Sequence, residues 1–267
     1  MNTKVSILIC TYNCEKYIKN TIQTILDQTY KNWELLILDN NSKDSTKNIL
    51  SKYKKNKKIK LFFSKNNKGA YSGLNYLIKK AKGKYIAIQD HDDLWHPNKL
   101  KVQVKFLNEN KKYIGCGTNQ ITYYEKEKKI YFGSVKKDNF FACHTTLMFR
   151  NNNFYYNPNI SFETDLYFMK KIICKDELKI YNINKFYSVH IIRKDQNNLT
   201  IKTIKENSLI EIIKIIKINN RSNIKYFLKI IFIKYFYKIY KIIENKKIKK
   251  IKNKNKINYF KKYLKVD

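Results

Sequence analysis

Four consecutive residues, Asp90-His91-Asp92-Asp93, follow directly on an apolar run from Tyr85 to Ile88, with Leu94, Trp95 and Pro97 behind them. Two carboxylates separated by one residue on a turn can hold a hard divalent cation through oxygen ligands. Such an ion would neutralise the charge that gathers on a departing diphosphate. The same acids suit a helix start equally well, because the helix dipole favours negative side chains there. Two more polar clusters also close apolar runs: Thr11-Tyr12-Asn13, with Glu15 nearby, and Asp39-Asn40-Asn41-Ser42.

The elements around these clusters have a regular order. Residues 4–10 read as a buried strand, 16–28 as a helix and Trp33 to Leu38 as a second strand. Ser42 reads as the start of another helix, with Asp44 and Ser45 in its first turn. A short strand from Lys60 to Phe63, a helix over 70–81 and the strand Tyr85 to Ile88 complete the series. Strands alternating with helices predict a mostly parallel sheet covered on both faces. Ligands of such sheets lie beyond the carboxyl ends of the strands, where all three clusters fall. Residues 111–150 read as short alternating strands around Gly115, Gly117 and Gly133, and a helix is predicted from Glu163 to Cys174.

Composition narrows the class. The 267 residues are 43% hydrophobic, enough for a sizeable core, and only 6 are Gly and 2 Pro, which excludes low-complexity readings. The net charge of +35 is carried almost wholly by lysine, since Arg150, Arg193 and Arg221 are the only arginines. Lys, Asn, Ile and Tyr are raised together, as a coding bias toward A and T would produce, and attraction to an anionic surface is the functional alternative. Arginine scarcity and the lack of a binding motif count against nucleic acid as a partner. Cys10, Cys14, Cys116, Cys143 and Cys174 form no paired spacing, so reduced cytoplasmic thiols are expected rather than zinc or disulfides. No apolar stretch reaches the roughly 20 residues of a spanning helix. Residues 200–267 carry 20 Lys/Arg against 4 Asp/Glu and read as two or three basic, partly amphipathic helices. The run Ile224 to Ile243 mixes lysine with aromatic and aliphatic residues, as expected of a packed helical pair or of docking on an anionic membrane surface.

The first hundred residues resemble family 2 glycosyltransferases of the GT-A type. The resemblance starts with VSILICTYNCEKYIKNTIQTILDQTYKNWELLILDNNSKDST at 5–46. It continues through NKGAYSGLN at 67–75 and GKYIAIQDHDDLWHPNKL at 83–100, and more weakly through HTTLMFR (144–150) and FETD (162–165). It implies a Rossmann-like GT-A catalytic domain over 1–200, with a nucleotide-binding half (1–110) and an acceptor half (111–200). The basic helical region 201–267 lies outside it.

Within that resemblance, Thr11, Tyr12, Asn13 and Glu15 would line the nucleotide pocket, and Asp39 and Asn40 would meet base and ribose. The family usually has a second acid where this chain has Asn40. Asn75 matches a family asparagine, but Leu74 replaces the arginine before it, so one phosphate or base contact is either missing or supplied by Lys68. Asp92 corresponds to the main metal-binding acid and Asp90 to its partner in the DxD pattern, with Mn²⁺ or Mg²⁺ as the ion. His144 falls near sugar or diphosphate. Asp165, beside Glu163, corresponds to the base that takes the acceptor's proton, with inversion at the sugar carbon. The resemblance thus implies a UDP-sugar or similar donor and a glycan or lipid-linked acceptor for cell-surface polysaccharide or lipo-oligosaccharide. A nucleic-acid-binding protein and a GT-A-like nucleotidyltransferase are the alternatives.

Overall fold

A computed structural model describes residues 3–160, 163–175, 178–194 and 257–264, together with Leu228, Ile230, Ile231 and Tyr235. Most of the basic region 201–267, including the predicted helices and most of the run from Ile224 to Ile243, lies outside the described residues.

The chain opens as expected with β1 (Val5–Thr11), α1 (Ile18–Leu26) and β2 (Trp33–Asp39). Next come α2 (Thr46–Ser51), β3 (Ile59–Phe63), α3 (Ala70–Lys80) and β4 (Tyr85–Ile88). Strands β3, β2, β1 and β4 lie side by side in parallel. Both faces of β1 are covered: Ile7 and Ile9 pack with Ile18, Ile22 and Ile25 of α1, while Leu8 packs with Leu74 and Leu77 of α3. That two-sided burial is why the strand is apolar throughout instead of alternating. At the end remote from the polar clusters, Glu34 ties strands together: Ser6 Oγ (2.7 Å) and Lys60 Nζ (2.8 Å) both donate to it. Burial alone would raise this carboxyl, but Lys60, Ser6, the Lys82 backbone and Lys4 outweigh it and hold it at about 2.

The second half departs from the expectation of short strands. A two-residue β5 (Leu94–Trp95) and α4 (Lys99–Glu109) lead into β6 (Tyr113–Tyr124), a single strand of 12 residues. Gly115 and Gly117 lie inside it rather than at turns. A Cβ on Gly117 would stand 2.4 Å from both Ala142 Cβ and Asn182 Oδ1, and one on Gly115 would stand 2.9 Å from the Met148 carbonyl. These glycines permit close approach of neighbouring chain, not reversal.

Then follow β7 (Lys129–Gly133), β8 (Asp138–Asn139), β9 (Met148–Arg150) and α5 (Thr164–Tyr167), which continues as a π-turn over Phe168–Ile173. The last strand, β10 (Lys179–Ile192), runs parallel to β6. The completed sheet has the order β3-β2-β1-β4-β9-β6-β10-β5, with β7 on β6 and β8 on β10.

Helix α2 starts at Thr46, four residues later than expected, because residues 42–45 are engaged in contacts with the loop after β1. The far segment 257–264 returns to the domain. Ile257, Phe260 and Leu264 bury against Leu94, Ile121 and Val189, and one carboxylate, Asp27, accepts from Tyr259 Oη (2.8 Å), Tyr263 Oη (3.2 Å) and Lys262 Nζ (3.3 Å).

Candidate active site

The loops that leave β1 and β2 are interlocked. Asn13 N–H donates to Ser42 Oγ (3.0 Å) while Asn13 Oδ1 accepts from Lys43 N–H (2.8 Å). Glu15 N–H donates to Asp44 Oδ2 (3.0 Å) while Glu15 Oε2 accepts from Ser45 N–H (2.9 Å). Cys14 N–H donates to Thr46 Oγ1 (2.8 Å), and Asn40 N–H to the Thr11 carbonyl (2.8 Å). Asn13 and Glu15, expected to face a nucleotide, therefore bind the neighbouring loop; Asn13 adopts the left-handed conformation (φ 46°) to do so. Residues 11–15 and 40–46 form one hydrogen-bonded rim.

Within that rim, Thr11 and Asp39 are register partners across β1 and β2. Both are buried, and Thr11 Oγ1 and Asp39 Oδ1 are buried without a hydrogen-bond partner, whereas Asp39 Oδ2 accepts from Ser42 N–H (3.3 Å). An orphaned buried carboxylate oxygen is costly, so it marks a place for a donor from outside the chain. Tyr12 is 39% exposed beside it.

Asn40 holds the loop before α3: its amide donates to Asn67 Oδ1 (2.8 Å) and the Gly69 carbonyl (3.2 Å), and its oxygen accepts from Lys68 N–H (3.3 Å). Lys68 thus borders the rim next to Asn40, on a cavity with Phe62, Phe63 and Tyr76. Asn75 is used internally. Its amide donates to the Tyr156 carbonyl (2.8 Å) and its oxygen accepts from Tyr156 N–H (2.7 Å).

The tyrosine so clamped reaches the acid turn. Tyr156 Oη lies 2.9 Å from His144 Nε2, and His144 Nδ1 lies 3.1 Å from Asp90 Oδ1. Burial works against charge on both partners, yet their attraction wins: Asp90 is lowered and His144 raised. The turn carrying His144 (residues 144–146) is held from below. Trp95 Nε1 donates to the Thr145 carbonyl (2.9 Å), Gln103 Nε2 to the Thr146 carbonyl (2.9 Å) and Thr145 Oγ1 to Gln89 Oε1 (2.8 Å).

The other two acids of the motif meet the end of β10. Asp92 Oδ2 pairs with Arg193 Nε at 2.9 Å. Asp93, fully buried, accepts from Ile191 N–H (2.9 Å) and lies 3.1 Å from His190 Nδ1. Burial pushes Asp93 up to about 6, and the three acids around His190 hold that imidazole up at about 9 against the effect of burial. His190, Arg193 and Tyr156 escaped the sequence reading, although one signal existed: the chain has 4 histidines, and His91, His144 and His190 all border this turn.

Asp165 comes to the same place from α5. The Tyr71 hydroxyl lies within hydrogen-bonding reach of the Thr164 side chain and the Asp165 backbone, and burial, with Asp165 and Asp90 nearby, pushes it far above the tyrosine range. Tyr71 packs its ring against His144 and Tyr156. Asp165 and Asp90 therefore border the same aromatic floor.

As for an ion, Asp90 and Asp92 offer the hard oxygens that Mg²⁺ or Mn²⁺ takes, and such ions are commonly held by one or two carboxylates plus substrate phosphates. Among the described residues no three His, Cys, Asp or Glu side chains converge as a ready ion cage. The donor set fits an ion completed by phosphate oxygens.

A parallel β-α-β half closed by an acid turn, with a second acid on a late helix, defines a GT-A sugar-transferase architecture. Residues 6–178 match the family described as Glycosyl transferase family 2, and the chain belongs to that family. Putative glycosyltransferase EpsE of Bacillus subtilis is 38% identical over 157 residues, which cover 55% of this chain and 56% of that protein. The matched stretch thus spans little more than half of that relative. The Escherichia coli UDP-Glc:alpha-D-GlcNAc-diphosphoundecaprenol beta-1,3-glucosyltransferase WfaP is 33% identical over 201 residues, covering 70% of this chain and 77% of WfaP. The fold is similar to S. aureus TarS in complex with UDP (TM-score 0.61, 20% identity, 82% of this chain and 71% of that one). It is also similar to a Pyrobaculum calidifontis mannosyltransferase in complex with GDP-Man and Mn²⁺ (TM-score 0.63, 15% identity, 80% and 64%).

Proposed function

We propose that this chain transfers a sugar from a UDP-sugar to a hydroxyl of a lipid-linked glycan, with inversion, in the assembly of a cell-surface polysaccharide or lipo-oligosaccharide. The observation that carries the donor reading is the orphaned pair in the rim, Asp39 Oδ1 and Thr11 Oγ1. A carboxylate oxygen accepts only, so its partner must bring an N–H or O–H; the imide N–H of uracil can supply it, whereas the bare ring nitrogen of cytosine cannot. Tyr12 offers an exposed ring for the base to stack on. The acceptor reading rests on WfaP, whose name specifies a sugar on diphosphoundecaprenol. Work on a lipid-linked acceptor fits a cytoplasmic protein placed peripherally on the inner membrane face, where the lysine excess would help. Among the described residues no helix is long and apolar enough to cross a membrane.

In this reading Asp165 accepts the proton of the acceptor hydroxyl, and the oxygen attacks the anomeric carbon from the face opposite the diphosphate. The bond to the diphosphate breaks with its electrons leaving on UDP. Asp90 and Asp92 would hold a divalent ion, whose chemistry is to neutralise charge on the leaving diphosphate. His144, held by Asp90 and Tyr156, is favoured toward its charged form by Asp90 and would face the same diphosphate.

The test is thermal stability with UDP, GDP, CDP and dTDP, each with and without Mn²⁺. A ligand at about 100 times its Kd adds roughly 2.7 kcal/mol. UDP should stabilise the protein while CDP does not, and Asp39→Asn should abolish the difference. Equal stabilisation by CDP refutes the imide reading, and stabilisation by DNA or RNA alone refutes the transferase mechanism.

A further inference from the structure

We infer that Arg193 is a counter-ion that keeps a divalent ion off Asp92 until a nucleoside diphosphate is bound. The inference rests on the transfer reading above, in which Asp90 and Asp92 hold the ion, and adds the residue that decides when they do so. Each acid of the turn already has a partner from another element: His144 for Asp90 (3.1 Å), Arg193 for Asp92 (2.9 Å) and His190 for Asp93 (3.1 Å). An imidazole can give up its charge near neutral pH, but a guanidinium cannot. Asp92 is therefore freed only by movement of Arg193, not by loss of a proton. The pair is shielded from water, with side-chain exposures of 18% for Arg193 and 7% for Asp92. An ion held by Asp92 would stand beside that permanent charge, and like charges so placed repel with little screening. Ion and guanidinium thus compete for one carboxylate.

The surroundings allow the side chain to yield while its backbone stays. Ile191 N–H donates to Asp93 (2.9 Å), and Val189 and Ile191 pack with Ile257, Phe260 and Leu264, so the end of β10 is anchored. The guanidinium lies 5.4 Å from the centre of the Tyr17 ring, and Tyr17 Oη donates to Glu125 Oε2 (2.8 Å). Asp92, Tyr17 and Glu125 line one solvent-open cavity of about 330 Å³. A guanidinium leaving Asp92 along the Tyr17 ring therefore meets a second carboxylate. A bound diphosphate shifts the balance toward the ion, because its negative charge answers both cations. If Arg193 only oriented Asp92, its removal would weaken ion binding; as a competitor, its removal strengthens it.

The test is Mn²⁺ binding to the full chain, read from the paramagnetic resonance of the free ion, without nucleotide and with UDP saturating. The parent should bind Mn²⁺ weakly alone and much more tightly with UDP. Arg193→Gln should tighten the binding of Mn²⁺ alone by about 5- to 150-fold, the usual size of coupling between two binding events, and by less with UDP present. Arg193→Lys keeps the charge and should stay near the parent. Adding Asp92→Asn to Arg193→Gln should abolish the gain. The inference is overturned if Arg193→Gln binds Mn²⁺ alone no more tightly than the parent, or gains as much with UDP as without it. A lysine variant as tight as the glutamine variant, or a gain that survives Asp92→Asn, overturns it too. Should Arg193→Gln fail to fold, the parent still decides: equal Mn²⁺ affinity with and without UDP overturns this inference alone. A parent that binds UDP but no Mn²⁺ in either condition overturns the metal reading beneath it as well.

Discussion

Replacing Lys99 by methionine should stabilise the protein at neutral pH, which is unusual for the loss of a buried polar group. Lys99, at the start of α4, is fully buried; its Nζ donates to Gln103 Oε1 (2.8 Å) and stands 3.8 Å from the centre of the Trp95 ring. No carboxylate faces it, and burial lowers it from 10.5 to about 7. At about 1.4 kcal/mol per pH unit, keeping this amine in the folded state costs on the order of 5 kcal/mol at pH 7. The unfolded chain holds the proton up to 10.5 and the folded chain releases it near 7, so this contribution raises stability with pH across that window. Methionine removes the penalty but leaves Gln103 Oε1 without its donor, a loss of about 1–3 kcal/mol. The variant should therefore gain about 2–4 kcal/mol at pH 7, and the gain should shrink by about 2 kcal/mol by pH 9. Urea unfolding of both proteins at the two pH values, followed by tryptophan emission, measures this directly. A stability difference that is the same at both pH values would refute the reasoning, because Lys99 would then keep an ordinary ammonium inside the fold.

Two further outcomes follow from groups elsewhere. Glu34→Gln should cost about 3 kcal/mol at pH 7, since a carboxyl lowered from 4.5 to about 2 contributes stability that is present above pH 4.5 and lost as pH falls through 2. Unfolding at pH 7 and pH 2 checks it, and the difference between variant and parent should vanish at the lower pH. Asp165→Asn should lower kcat by about 10²–10⁴-fold with the UDP-induced thermal shift intact, and a variant that keeps its turnover removes Asp165 from the base role.

The strands β1, β2 and β4 and their polar carboxyl ends were readable because burial on both faces leaves long apolar runs that stop abruptly. Strand β10 was not readable. Its register against β6 shifts between Ile183 and Phe186 and again between Phe186 and Ser188, so the period of two breaks mid-strand. Helix α4 was hidden for a related reason: Lys99 and Gln103 face inward, where residue type predicts solvent. The partners of Asn13, Glu15 and Asn75 lie 29 to 81 residues away, so these internal contacts were not legible in the sequence. The acid cluster Asp90-Asp92-Asp93 was legible as a cluster, but the Arg193 that meets Asp92 was not, because nothing near position 92 announces it.

The union of Asp93 with His190 and the Ile191 amide spans 97 and 98 residues. During synthesis residues 1–110 emerge while this carboxyl still lacks its donors. Until β10 arrives, the acid turn is an interior charge with no answer, and water must keep it open. The motif that looks most self-contained in the linear chain is thus completed by partners nearly a hundred residues away. A chain stalled near residue 110 should therefore lack the donors that this carboxyl has in the folded protein.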